Sequence, residues 1–289
     1  MEAVVEHVAT IGVFDGVHLG HRFVLSRTAS EARRRNMRAL AVTFDRSPRQ
    51  EAVLTPLSEK VALLRQAGAD DVEVLTFTEE LRSLTARQFM QWLRDRHRVR
   101  VLLTGYDNRF GHDRKETFAD YQTYGRELGM DVIGLQADGD ASSSGIRRLL
   151  LAGDVEEAAR MLGRCYSISG SVEHGRHIGT GMGFPTANIS PEEPRQLLPA
   201  HGAYAVRAYI DDDSEPHPAM MNIGHRPTFD GSDTTIEVHL LRHDCNLYGH
   251  RLTIEFIHWL RGEQHFASVD ELRQQLQRDA EASLSLYLT

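Results

Sequence analysis

The feature that most restricts the fold of this chain is a change of hydrophobic rhythm near residue 163. Before it, apolar runs of strand length alternate with longer amphipathic runs, which is typical of a parallel sheet covered by helices. The predicted strands are residues 7–13, 39–44, 72–77, 99–104 and 130–135. The predicted helices are residues 22–35, 57–67, 86–96 and 117–128. We therefore predict an α/β domain with an open doubly wound sheet, whose ligands bind beyond the C-terminal ends of the strands.

After residue 163, short runs of alternating apolar and polar residues are separated by turns rich in Gly, Pro and Asp. Strands are predicted at residues 166–172, 203–210, 218–223, 235–241 and 252–259. This pattern indicates an antiparallel sheet or small β-barrel, closed by a helix that starts at the S-x-x-E sequence of residues 268–271. We predict two domains, residues 1–163 and 164–289, with one site in each.

Composition restricts the classes of function. The 289 residues are 41% hydrophobic and 26% charged, with a formal net charge of −8. This charge does not favour nucleic acid or anionic membranes as partners, because both require a basic surface. No segment approaches the roughly 20 apolar residues of a membrane span and the N-terminus is not a leader, so we expect a cytoplasmic protein that binds small molecules. Cys165 and Cys245 do not form a pattern typical of disulfide scaffolds or structural zinc.

The first strand-to-helix turn carries the sequence GVFDGVHLGH at residues 12–21. Its glycines allow the backbone to approach a ligand, and the helix N-terminus offers N–H groups to an anion. His18 and His21 are three residues apart and therefore share a face of the first helical turn. Imidazoles in this position can stabilise the charge that develops when a nucleotide phosphate is attacked. Taken alone, the pair is equally compatible with two solvated surface histidines.

A second anion site is predicted where the last parallel strand meets a helix. The hydroxyls of Ser143 and Ser144, the helix start and the guanidinium of Arg147 can all bind phosphate. A serine run is more often only a helix cap. Residues 43–48 and residues 105–111 also follow strands, and Asp107 is in the second of these segments. Both segments therefore belong to the ligand-binding edge of the sheet. In the alternative interpretation their phenylalanines are core residues and Asp107 caps a turn.

The predicted barrel carries a glycine-rich loop that ends in P-T-A-N. The backbone at Gly175, Gly179 and Gly183 can fold over phosphates, although such a loop is often only a turn. The Thr186 hydroxyl and the Asn188 amide oxygen are hard donors that suit Mg²⁺. The two side chains share a face if this segment is extended.

A later strand carries the candidate base. Alternation over residues 235–240 puts Ile236, Val238 and Leu240 toward the core and Glu237 and His239 on the opposite face. There Glu237 can accept a proton from a substrate hydroxyl. The alternative for Glu237 is an ordinary solvated strand position.

Motifs of both halves occur in a fixed order along the chain. They are GxFDGxHxGH at 12–21, TFxxxP at 43–48, an LTPxxEK-like segment at 54–60, GxDxRFG at 105–111, an SST-like segment at 142–147, GFPTAN at 183–188, MNIGxRPTF at 221–229, IEVH at 236–239 and LYG at 247–249. Over nearly its whole length the sequence resembles the bacterial bifunctional riboflavin kinase/FAD synthetase family. The resemblance implies a Rossmann-like FMN adenylyltransferase domain followed by a six-stranded riboflavin kinase barrel.

The resemblance also implies a reaction sequence and roles for individual residues. Riboflavin is phosphorylated by ATP to FMN, and FMN then receives AMP from a second ATP to give FAD and pyrophosphate. The implied catalytic residues are Glu237, His18, His21 and Arg147, and the implied Mg²⁺ ligands are Thr186 and Asn188. The implied ligand-binding residues are Gly12, Phe14, Asp15, Asp107, Ser143, Ser144, Gly175, Gly179, Gly183, Asn222 and Arg226.

Three positions depart from the family pattern. Ser47 stands where a histidine is frequent, Asn108 where a phenylalanine is usual, and Thr180 interrupts a stretch that usually carries arginine. Two alternatives therefore stay open beside the bifunctional enzyme. One is an enzyme that has kept a single activity, and the other is a flavin-binding regulator without turnover. The oligomeric state does not follow from the sequence.

Overall fold

A computed structural model describes residues 5–46, 52–105, 109–112, 115–136, 139–173, 183–211, 213–228, 231–242 and 247–287. The chain forms two compact units, Met1–Ser143 and Ser144–Thr289. The junction lies ahead of the change of rhythm at residue 163, because a helix between the two positions packs on the last barrel strand. The division of the two activities at residue 163 stays a prediction. Within the described residues, no helix is long and apolar enough to span a membrane.

The first unit contains a parallel sheet of five strands. They are β1 (His7–Ile11), β2 (Arg38–Phe44), β3 (Asp71–Leu75), β4 (Val99–Gly105) and β5 (Asp131–Leu135), in the order β3-β2-β1-β4-β5. Strands β2 and β4 are buried almost throughout, as expected for a sheet covered on both faces. The order reverses between β1 and β4, the switch point at which doubly wound sheets bind ligands.

In the described residues of this unit, five helices connect and cover these strands. They are α1 (Leu19–Arg35), α2 (Leu57–Gln66), α3 (Glu79–Ser83), α4 (Ala86–His97) and α5 (Phe118–Leu128). The predicted capping box at Thr85 is confirmed, since its side chain accepts from the Gln88 backbone and Gln88 returns the bond. Gly129 ends α5 with a φ of 68°, as its position predicted. Helix α1 begins three residues earlier than predicted, and the short α3 was not predicted.

The second unit is a closed barrel preceded by two helices, α6 (Ser143–Leu151) and α7 (Val155–Leu162), of which α6 starts at the junction. The strands are β6 (Ser167–Glu173), β7 (Ala187–Pro191), β8 (Gly202–Ile210), β9 (His217–Thr228), β10 (Gly231–Leu240) and β11 (Arg251–Arg261). They close in the order β10-β7-β6-β11-β8-β9. The predicted fold class is thereby confirmed, with β7 as a strand that the sequence did not predict.

A C-terminal helix, α8 (Val269–Tyr287), packs on β8, β9 and β11. It starts where the S-x-x-E sequence predicted, with Ser268 Oγ accepting from the Glu271 backbone N at 3.2 Å. Arg261, the last residue of β11, is ion-paired with Asp279 of α8 at 2.8 Å. The side chains are only 14% and 5% exposed, so the pair joins barrel and helix largely out of water.

Candidate active sites

The turn between β1 and α1 has an unusual backbone. Phe14, Gly16 and Val17 all have left-handed conformations, with φ values of 51°, 87° and 40°. Glycine adopts this region freely, but a β-branched valine there costs on the order of 1–3 kcal/mol. Phe14 and Val17 belong to one buried apolar cluster, and its packing offsets this cost. Backbones of this kind persist where the surroundings enforce them, and such places are often functional sites.

Asp15 holds this turn in place through hydrogen bonds to two other segments. Its Oδ1 accepts hydrogen bonds from the backbone N–H groups of Leu54 and Thr55, at 2.9 and 3.3 Å. Its backbone oxygen accepts from the Ser143 hydroxyl at 2.8 Å. The first serine of the predicted second anion site is therefore brought to the first turn. The observed contacts of Asp15 hold backbone in place, and its ligand-binding role stays a prediction.

Lys60 is a buried residue that the site prediction missed. Its ammonium donates to the backbone oxygens of Val13, at 3.3 Å, and Phe44, at 2.7 Å, and so links the ends of β1 and β2. Burial lowers the pKa of Lys60, and the nearby carboxylates of Asp15 and Asp45 oppose this shift. The sequence feature that could have drawn attention to Lys60 is the rarity of lysine, since the chain has only Lys60 and Lys115.

The two histidines of the turn lie face to face. The rings of His18 and His21 stack with centroids 3.7 Å apart, which confirms that they share a face, and Phe14 meets His21 edge-on at 5.2 Å. Burial lowers the pKa of His21 well below its usual range, and the charges of His18 and Lys60 lower it further. His21 is thus a neutral imidazole near pH 7. Its Nδ1 is buried and, in the described part of the chain, has no hydrogen-bond partner.

Steric contacts explain why glycine occupies position 20, between the two histidines. A Cβ at Gly20 would lie 3.3 Å from the His18 ring, which is tighter than most Cβ contacts, and would also touch the Ala141 carbonyl oxygen at 3.4 Å. A Cβ at Gly12 would similarly lie 3.0 Å from the Phe14 ring. Ser144 and Arg147 continue along α6 in the second unit, and their phosphate contacts stay a prediction. Asp107 lies outside the described residues, as do Ser47 and Asn108.

A cavity of about 570 Å³ opens at the C-terminal edge of the parallel sheet. Gly12 and the end of β1 form one part of its lining. Its aromatic walls are Phe44, Phe77, Phe89 and Phe110, and its polar groups are Glu79, Arg82, Ser83, Arg109 and His112. The size and the mainly apolar lining with a few polar groups are typical of small-molecule sites. The sequence placed Phe44 and Phe110 at the ligand-binding edge of the sheet, and the other two walls were missed.

Tyr121 fixes one wall of this cavity. Its ring stacks on Phe110 with centroids 4.3 Å apart, and its hydroxyl accepts from the Phe110 backbone N at 3.1 Å. The next residue, Gly111, has a φ of 99°, and a Cβ there would lie 2.7 Å from the Ala86 backbone N. The R-F-G end of the predicted motif is thus part of the cavity wall.

In the barrel, register brings three predicted site residues into one row. Glu237 of β10 lies directly opposite Asn188 of β7 on one side and Asn222 of β9 on the other. Residues directly opposite in adjacent strands point to the same face, with Cβ atoms about 4.5–5.5 Å apart. Ile236 and Val238 are buried, so Glu237 faces away from the core as the alternation predicted. The row is a carboxylate between two amides.

The P-T-A-N segment leads into this row. Thr186 comes immediately before β7 and two residues before Asn188, so an extended backbone places both side chains on one face. Gly183 is exposed and has a φ of 84°. Gly175, Gly179 and Thr180 lie outside the described residues, as does the side chain of Arg226.

The donor set formed by this row together with Thr186 fits Mg²⁺. A hydroxyl, an amide oxygen and a carboxylate are hard oxygen ligands. Mg²⁺ usually takes one or two protein ligands and completes its shell with water and substrate phosphates. Thr186 and Asn188 stay the predicted protein ligands of such a shared site.

Comparison with known proteins identifies the family. The FAD synthetase model matches residues 2–144, and the riboflavin kinase model matches residues 162–287. A bifunctional riboflavin kinase/FMN adenylyltransferase of Escherichia coli K12 is 38% identical, over 94% of this chain and 90% of that protein. The chain belongs to the bifunctional riboflavin kinase/FMN adenylyltransferase family. The resemblance seen in the motifs is thereby confirmed.

Other relatives extend the similarity over the whole chain. The family member of Pseudomonas fluorescens is 38% identical over 96% of this chain and 92% of its own length. That of Bacillus subtilis is 31% identical over 97% and 92%, respectively. A crystal structure described as a macrolide-efflux protein from Streptococcus pneumoniae superposes with a TM-score of 0.90 at 29% identity, covering 98% of this chain and 95% of that one. The match covers both units, and ATP is the substrate common to the two family activities.

Proposed function

We propose that the chain phosphorylates riboflavin to FMN in the barrel and adenylylates FMN to FAD in the α/β unit. The observation that carries the proposal is the row formed by Asn188, Glu237 and Asn222 across three paired strands. A protein that only bound flavin would not require a carboxylate next to metal-type oxygen donors. Membership of the bifunctional family supports both steps.

In the first step, Glu237 accepts the proton of the terminal ribityl hydroxyl. The hydroxyl oxygen attacks the γ-phosphorus of ATP, and ADP leaves. Asn222 and Asn188 flank the carboxylate and orient the hydroxyl and the nucleotide. Bound Mg²⁺ would neutralise charge on the phosphates, with Thr186 and Asn188 as its protein ligands. Contacts to the ATP phosphates are assigned to Gly175, Gly179, Gly183 and Arg226.

In the second step, a phosphate oxygen of FMN attacks the α-phosphorus of ATP, and pyrophosphate leaves. No protein nucleophile is required, so the protein contributes positioning and charge stabilisation. A neutral His21 donates a hydrogen bond without adding a full charge beside Lys60. The other groups assigned to the phosphates are His18, Ser143, Ser144 and Arg147, and those assigned to holding the substrates are Gly12, Phe14, Asp15 and Asp107.

The flavin ring of this step is assigned to the 570 Å³ cavity. Its four phenylalanines offer the flat apolar contacts that a tricyclic ring requires. Gly12 lines the same cavity and begins the turn that carries the histidine pair. A flavin in the cavity would therefore direct its phosphate chain toward that turn.

The remaining parts of the proposal concern organisation. Residues 1–163 are assigned to the adenylyltransferase and residues 164–289 to the kinase. The enzyme is placed in the cytoplasm because both steps consume ATP. Small molecules are its proposed partners, with no role for nucleic acid or a membrane surface, because the formal net charge is −8.

The test is a product analysis with the purified full-length chain. Riboflavin, ATP and Mg²⁺ are incubated with the protein, and flavins are separated by chromatography. We expect FMN to appear first and FAD to follow. FMN alone would identify a single-activity enzyme, and a parallel reaction with supplied FMN would show whether adenylylation is the missing step. A protein that binds flavin but forms neither product would support the regulator instead.

A further inference from the structure

We propose that His239 is a positioning residue of the kinase site, which fixes the P-T-A-N segment through the Pro185 carbonyl. The inference deepens the proposed riboflavin kinase function and rests on it. His239 Nδ1 lies 2.7 Å from the Pro185 backbone oxygen, and its ring meets Phe184 edge-on at 5.4 Å. It lies two residues after Glu237 on β10 and therefore on the same face.

The contact lies where the strand pairing stops. Strands β10 and β7 pair at Glu237 with Asn188 and at Val238 with Ala187. The next residue pair in this register is His239 and Thr186. Pro185 has no backbone N–H and cannot donate to a continued ladder. The His239 side chain continues the connection between the two segments beyond the paired residues. It does so by binding the backbone carbonyl oxygen of Pro185, which is the one backbone polar group that Pro185 has.

The chemistry of the acceptor fixes the tautomer. A carbonyl oxygen only accepts hydrogen bonds, so Nδ1 of His239 must carry a proton. In the neutral ring Nε2 then holds the lone pair, and protonation at Nε2 leaves the Nδ1–H donor in place. The hydrogen bond therefore persists in both protonation states. This property separates a positioning histidine from a general base, whose function is lost on protonation.

The consequence concerns the two proposed Mg²⁺ ligands more than the base. Glu237 is held by strand pairing on both sides, whereas Thr186 is one residue beyond the paired part of β7. Losing the His239 bond should loosen Thr186 and leave Glu237 in place. The half-saturating Mg²⁺ concentration of the kinase reaction should then rise, while the KM for riboflavin changes little.

The experiment compares two substitutions in the full-length chain. His239→Phe keeps a ring beside Phe184 but removes the donor, and we expect the half-saturating Mg²⁺ concentration to rise roughly three- to tenfold, as for one lost hydrogen bond. His239→Asn keeps a donor near the position of Nδ1 and should restore a near-normal Mg²⁺ requirement. His250→Phe is the matched control, because His250 is an exposed histidine paired with Asp211 at 2.7 Å. Circular dichroism and thermal unfolding show whether the barrel of each variant is folded, because adenylylation of supplied FMN reports only on the other unit.

A second measurement does not depend on activity or on a variant. Nitrogen-15 NMR of the imidazole rings in the wild-type protein should show neutral His239 as the Nδ1–H tautomer, and an Nε2–H tautomer would overturn the proposal. It is also overturned if His239→Phe has the wild-type Mg²⁺ requirement, or if His239→Asn is as impaired as His239→Phe. Thr186→Ala tests the proposed metal ligand separately from the His239 hydrogen bond. If that variant and the wild type need the same Mg²⁺ concentration, the proposed metal ligand is wrong, and the tautomer still decides whether the hydrogen bond exists.

Discussion

Replacing Glu237 with glutamine is the sharpest test of the kinase mechanism. The amide has nearly the same shape as the carboxylate but cannot accept the proton of the ribityl hydroxyl. General-base assistance is worth about 100- to 10,000-fold, which corresponds to roughly 3–5 kcal/mol of barrier. The strand itself should not change, because the β10 backbone at this residue is paired with β7 and β9 on both sides.

The expected change in the reaction barrier is much larger than the expected change in the free energy of unfolding, so the two effects can be separated. A substitution at a half-exposed position usually changes the free energy of unfolding by no more than about 0.5 kcal/mol. Folded domains are stable by about 5–15 kcal/mol, so such a change leaves the folded fraction almost untouched. A loss of 100-fold or more in FMN formation would therefore report on chemistry.

The assay follows FMN formation from riboflavin by chromatography, with FAD formation from supplied FMN as the internal reference. Glu255→Gln is the matched control, since Glu255 is also a half-buried residue within a barrel strand and accepts from the Tyr209 hydroxyl at 3.2 Å. We expect that control to keep both rates. If Glu237→Gln phosphorylates riboflavin at the wild-type rate, Glu237 is a structural residue and the proposed base is wrong.

Three further outcomes are expected. The double variant His18→Ala/His21→Ala should lose about 100-fold or more in FAD formation from FMN while still producing FMN; an unchanged FAD rate would make the stacked imidazoles bystanders. Asp279→Asn leaves the Arg261 charge without its buried partner and should lower the free energy of unfolding by about 3–5 kcal/mol in urea titrations; a midpoint equal to wild type would show that the pair contributes nothing. The folded-state pKa of His21 is lowered, so below about pH 6.5 the unfolded chain binds a proton that the folded chain does not. Stability should fall as the pH drops from 7.5 to 5.5, by up to about 1.4 kcal/mol per unit, and His21→Phe should show a shallower slope; equal slopes would contradict a buried neutral imidazole.

Local periodicity was enough to predict most of the elements. Long amphipathic helices and buried parallel strands repeat their signal over many residues, so errors were limited to their ends. Helix α3 has only five residues, Glu79–Ser83, and is too short to show a helical period. Strand β7 has Ala187 and Ile189 as its buried residues, with Pro191 as its last, so its alternation was too weak to be noticed.

The candidate sites show the same limit. The outward face of Glu237 follows from alternation within one strand, which is a local property. Its position between Asn188 and Asn222 depends on the register of two other strands, which alternation along β10 does not contain. Lys60 was missed for the same reason. Its ammonium is bound by backbone carbonyl oxygens at the ends of two strands that precede it in the chain. The aromatic cavity likewise draws its walls from separate segments.

The row across β7, β10 and β9 has a consequence for how this enzyme can change in length. Because side chains alternate between faces, deleting one residue ahead of Glu237 within β10 would put the neighbouring Val238 on the outer face and turn the carboxylate inward. A deletion of two residues would restore the face but break the match with Asn188 and Asn222. Gains and losses of residues in the barrel are therefore expected in the connections between strands, and a library of single-residue deletions should show β10 as an intolerant block.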